Sequence, residues 1–190
     1  MDGVDGVVGP GGLPEPVVRF ILRPARDGET VVALPMIEQA GLMSGWGERF
    51  GMIVVAGMPM RVRFDPHAAR SLVTAAGGVR IAAEHGGKLG GKTVQVLIAF
   101  GIKRSVRAMH LAVPLIVGPL AVSDVGVRTR DSGNATGIKD ADADPDEILV
   151  TAKGKHDPSS DRLTIGADLL ARCSSIEFDK PAKVIRLSCG

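Results

Sequence analysis

The sequence contains no tyrosine, a single tryptophan and five phenylalanines in 190 residues. A core built from it must come from Val, Ile, Leu, Ala and Met, and no aromatic series is present on which bases could stack. A basic block is also missing. The 23 Lys and Arg are mixed with 21 Asp and Glu for a net charge of +2, so the footprint of a nucleic-acid-binding chain is absent and no nucleic-acid partner is expected. Cys173 and Cys189 are too few for a disulfide scaffold. One bridge between them is conceivable, and they do not fix the redox compartment. No apolar run reaches the roughly 20 residues that span a bilayer, and no basic and apolar signal pattern opens the chain. The reading is a soluble protein without a membrane-spanning segment, cytoplasmic or a mature periplasmic form.

What is present is 45% hydrophobic residues with 25 Gly and 12 Pro. That suits one globular domain of apolar strands joined by Gly and Pro turns. The balance of Ala, Gly, Asp and Arg suggests a bacterial source. Residues 1–16, rich in Gly and Pro, read as a flexible arm. Residues 17–50 read as a hairpin and linker packed on the core: strands at 17–22 and 30–34 around Arg26-Asp-Gly28, then a short helix or turn at 36–43. Trp46 follows in a loop, as a packing anchor or a groove residue.

From residue 51 strands dominate. Met60, Val62 and Phe64 alternate with Arg61 and Arg63, the pattern of a strand with one buried and one wet face, and Asp65 stands at its end. Residues 68–76 read as a short strand or helical turn interrupted by Gly77-Gly78. Apolar stretches at 93–100 and 105–117 form a hairpin with Gly101, Ile102, Lys103 and Arg104 at its tip, and Pro114 predicts a bulge or an edge strand. Residues 131–147 are polar loop. Strands at 148–151 and 162–165, a short helix at 167–172 and strands at 176–178 and 184–187 complete an all-β, antiparallel barrel.

Two separated segments carry a resemblance. Gly57, the strand Arg61–Phe64, then Asp65, Ala68 and Ser71–Val73 resemble the catalytic segment of retropepsin-like aspartic proteases, where a strand enters Asp-Thr/Ser-Gly-Ala. Ile165, Gly166, Asp168 and Leu170 resemble the family's closing Ile/Leu-Gly-x-Asp/Asn-x-Leu signature. The resemblance covers roughly residues 51–187. It implies a closed acid-protease barrel over 51–190, Asp65 as catalytic residue, a structural role for Asp168, and a flap at the 101–104 tip. It also implies a homodimer acting on an extended polypeptide, without metal or cofactor.

The family's chemistry uses two carboxylates around one water, sharing a proton, so that one is base and the other acid. With one matching aspartate per chain, the pair requires two copies of Asp65 on a two-fold axis. The sequence departs from the family beside that aspartate. Pro66 takes the place of Thr or Ser and donates no hydrogen bond, and His67 takes the place of Gly. A degenerate fold that binds peptide, or is purely structural, is therefore the alternative. Asp131-Ser-Gly133 is a rival second aspartate, but charged residues lead into it. The acidic run Asp140, Asp142, Asp144, Asp146 and Glu147 lacks EF-hand spacing, and His67, His85, His110 and His156 lack zinc spacing.

Overall fold

A computed structural model of the chain describes residues 9–38, 48–99, 102–129, 135–140 and 157–190. Within these the order is β1 (Val17–Ile21), β2 (Thr30–Glu38), β3 (Arg49–Val55), β4 (Met58–Phe64), β5 (Leu72–Val73), α1 (Ala75–His85), β6 (Gly87–Ala99), β7 (Ile102–Val117), β8 (Leu120–Arg128) and β9 (Lys139–Asp140). After these come β10 (Arg162–Ile165), α2 (Ala167–Leu170), β11 (Cys173–Asp179) and β12 (Val184–Cys189). The all-β expectation holds. The closed barrel does not: the strands form one open sheet, β1-β11-β12-β2-β3-β4-β10-β5-β8-β7-β6-β9, whose ladder ends at β1 and at the two-residue β9.

The expected hairpin of residues 17–34 is also corrected. Both strands exist, but β1 pairs with β11 and β2 with β12, so the closing hairpin lies between them. The strand at 30–34 runs on to Glu38, which takes residues 36–38 out of the expected helix or turn. At Pro35 the strand changes partners, from β12 to β3 one residue later, a place where the missing N–H is tolerated. Leu13 and Pro16, in the segment read as an arm, accept hydrogen bonds from the side chain and backbone of Lys180.

The core lies on the apolar face of the strands. Met60, Val62 and Phe64 of β4, Leu163 and Ile165 of β10, Val73, Val125, Val127 and Met109 are buried there. Helix α1 covers part of this layer with Ile81 and Ala82. Gly77-Gly78, read as a break, lies inside this helix. A Cβ on Gly78 would stand 2.9 Å from Val127, so the glycine is needed for close helix-to-sheet approach, a demand invisible to local propensity. Arg80 fastens the helix to its neighbours. Its guanidinium meets the buried Asp161 at 3.0 Å and donates to the carbonyls of Val55, Met58 and Pro59 around the β3–β4 turn. The bulge expected at Pro114 is present as a register shift of β7 on β8 between His110 and Leu115.

Cys173 and Cys189 are register partners on β11 and β12 and form a disulfide. It ties the last strand to the helix α2 corner. Replacing both cysteines by serine is expected to cost about 2–3 kcal/mol, because the bridge restrains a short loop of the unfolded chain. Denaturant melts of the variant and parent give the difference.

The β1–β11–β12 end is held by charge. Glu177 takes Arg19 and Arg186, Asp179 takes Arg186 and the Ala182 N–H, and Glu29 takes Ser174 and Arg23. The Arg19 hydrogen bond holds Glu177 below the usual carboxylate range, the Ser174 hydroxyl does so for Glu29, and the Ala182 N–H for Asp179. A depressed carboxylate stabilises the fold above its unfolded pKa and loses that contribution as pH falls through the folded value. The melting temperature is therefore expected to hold from neutral pH down to about pH 5 and to drop below about pH 4. Glu177→Gln should flatten that acid limb in thermal melts recorded across the pH range.

Candidate functional site

Asp65 is placed by three strands. β10 runs between β4 and β5, parallel to the first and antiparallel to the second. At its end the Asp65 N–H donates to the Ile165 carbonyl at 3.0 Å, and the Ala167 N–H donates to Ala68 at 2.7 Å. The segments 65–71 and 165–170 thus lie against each other. Gly166 is the point of closest approach, where an added Cβ would sit 2.6 Å from the Ala68 carbonyl oxygen and from the Arg70 carbonyl carbon. Asp168 fixes the contact. Its carboxylate accepts from the Ser71 N–H at 2.9 Å and the Ser71 hydroxyl at 2.8 Å, and the Gly166 N–H donates to that hydroxyl oxygen. Ile165 and Leu170 are buried beneath it.

The Asp65 carboxylate is 21% exposed. One oxygen accepts the His67 N–H at 3.1 Å, and the Ala68 N–H donates to the Asp65 carbonyl, so Asp65-Pro-His-Ala68 is a tight Asx-type turn. Pro66 fits because the two N–H groups used belong to residues 67 and 68. The other oxygen faces the Arg63 guanidinium at 3.2 Å. Arg63 also meets Glu48 at 3.1 Å, and Glu48 reaches Arg162 at 3.6 Å. The His67 ring is on an exposed residue. Among the described residues no group of three His, Cys, Asp or Glu comes together to hold a metal, and no helix is long and apolar enough to cross a membrane.

Ile102, Lys103 and Arg104 open β7 and pair with Ala99, Leu97 and Val96 of β6. Beyond a register shift between Gly90 and Val94 the hairpin is two-stranded among the described residues, and Val94, Leu97 and Ile102 are exposed on it. Gly101, Trp46, Asp131-Ser-Gly133, the acidic residues 142–147, the strand at 148–151 and His156 lie outside the described residues. Sequence reasoning missed Ser71 as the partner of Asp168, across 97 positions, and Arg63 as the partner of Asp65. The second had a local signal: residues two apart on a strand share a face, so Arg61, Arg63 and Asp65 stand in one row.

Searches of protein-family models, curated proteins and solved structures find no match to this chain.

Proposed function

We propose that the chain is a retropepsin-like aspartic endopeptidase whose hydrolytic site is completed by a second copy. The observation that carries this reading is the threading of β10 between β4 and β5, which brings the Ile165-Gly-Ala-Asp168 segment against the Asp65 turn. Two segments that resembled the ends of one site are neighbours in space. The exposed β6–β7 hairpin supports a role in covering a bound strand.

In this reading two Asp65 carboxyl groups meet across a two-fold axis with water between them. The ionised one takes a proton from the water, whose oxygen attacks the peptide carbonyl carbon. The protonated one gives its proton to the amide nitrogen, and the carbon–nitrogen bond breaks. The His67 N–H fixes the orientation of one carboxylate oxygen. A second reading is binding of extended peptide without hydrolysis. The Arg63 ion pair favours it, because one Asp65 oxygen is engaged by a guanidinium and the other by the His67 N–H, which leaves the carboxylate held in a structural role.

The test is cleavage of an unfolded polypeptide measured against protein concentration, alongside sedimentation. Cleavage per chain is expected to rise and level off as dimers form. A per-chain rate that stays constant while the chain remains monomeric would overturn the two-copy site. Tight peptide binding with no cleavage at dimeric concentrations would select the second reading.

A further inference from the structure

Beside Asp65 lies a group of arginines that the hydrolytic reading does not use. Arg61 and Arg63 lie on β4, in register with Arg162 and Thr164 of β10. Thr164 continues to Leu72 on β5, Leu72 to Gly126 on β8, and two residues further along the same face stands Arg128. The row therefore crosses β4, β10, β5 and β8 on the face that carries Asp65. Arg61 lies over the ring of Phe50, 5.6 Å from its centre. Arg63 and Arg162 share the carboxylate of Glu48, and Arg63 also faces Asp65, so two carboxylates stand among the three arginines Arg61, Arg63 and Arg162. Arg61 has no carboxylate at ion-pair distance among the described residues.

These guanidinium groups sense one another. Burial, together with the charges of Arg162 and Arg104, pushes Arg128 down to about 10. Burial and the neighbours Arg63 and Arg61 lower Arg162 as well, against the opposing pull of Glu48. At about 10, Arg128 is still charged at neutral pH. Val106 of β7 pairs with Arg128, so Arg104, two residues away on the same face, brings the outer part of the β6–β7 hairpin to the end of the row. Like charges held side by side in partly dry surroundings are a standing electrostatic cost that an anionic occupant relieves. Along β4 the arginines repeat every two residues, about 7 Å apart, which is the spacing of alternate side chains in any extended peptide.

Resting on the proposed peptide-cleaving site, we infer that the sheet face beside Asp65 selects polypeptides carrying carboxylate side chains, with Arg61, Arg63 and Arg162 as the determinants of specificity. The arginines act by attracting and orienting the acidic strand over Asp65. They take no part in proton transfer.

The probe is a fluorescein-labelled unstructured peptide of about twelve residues alternating Glu and Val, compared with versions carrying Gln or Lys in place of Glu. Binding is measured on the full-length Asp65→Asn protein, and cleavage on the parent. The Glu peptide is expected to bind about tenfold more tightly than the Gln peptide at low salt, with the advantage fading near 0.5 M salt (order of magnitude). Arg63→Gln with Arg162→Gln should erase most of the advantage, while Arg26→Gln, on the β1–β2 connection, should keep it. Equal affinity for Glu and Gln peptides, or a preference that survives the double variant, would overturn the inference. The two readings fail separately. Cleavage without charge preference removes the specificity and leaves the hydrolase, whereas charge-selective binding without cleavage removes the hydrolase and leaves the specificity.

Discussion

Asp65→Asn is expected to lower the rate of peptide hydrolysis by about 10²- to 10⁴-fold while leaving the fold intact, the loss that follows removal of a general acid–base group. Asparagine has nearly the same shape, and its amide oxygen can still accept the His67 N–H that closes the turn. It cannot take up the proton of water. It also gives up the half-buried Arg63 ion pair, a single contact that Arg63 still replaces in part with Glu48. The sharper form of the test mixes parent and variant chains. If each site needs two copies of Asp65, an equal mixture retains about a quarter of the dimers as fully parental, so activity falls to about that fraction. Activity near half would mean that each chain works alone. A folded Asp65→Asn protein that still cleaves at the parental rate would remove Asp65 from the chemistry.

The largest expected effect on stability is at Gly166. Gly166→Ala is expected to destabilise the fold by about 3 kcal/mol or more, at the upper end of what overpacking costs. Its backbone conformation is ordinary, with φ −97°, so any residue could adopt it. The conflict is spatial. The new methyl would stand 2.6 Å from the backbone of Ala68 and of Arg70, and no flexible side chain is there to give way. Relief requires separating the segments joined by Ala167 to Ala68 and by Gly166 to Ser71, the contacts that seat β10 and α2 beneath the Asp65 turn. For a chain of this size the melting temperature should fall by roughly 6–12 °C in a circular dichroism melt. Asp168→Ala should cost less, about 1–3 kcal/mol, because it removes an acceptor without forcing backbones apart. A Gly166→Ala protein that melts with the parent would contradict the close approach on which the proposed site depends.

Much of the local structure was legible. The alternation of Met60, Val62 and Phe64 with Arg61 and Arg63 marked β4 and its two faces, because a strand sends successive side chains to opposite sides. Asp65 was placed at the strand end, and the bulge at Pro114 followed from its missing N–H. The hairpin assigned to residues 17–34 failed for a different reason. Local pattern says that two strands exist but not whether they pair, and the chain's last two strands lie between them. Gly77-Gly78 misled because a glycine that breaks an exposed helix is indispensable in one pressed against Val127.

The sequence by itself determined many of the strands and the two faces of β4, since side-chain period and turn preference act over a few neighbours, while β8 and helix α1 were not read from it. Tertiary structure alone decided that β10 would pass between β4 and β5, that Ser71 would meet Asp168, and that Arg162 would join Arg61 and Arg63 beside Asp65. Those pairings join segments about a hundred residues apart. They are selected by which apolar faces can be buried together and which backbone groups then find partners, quantities that exist only once the whole chain is folded.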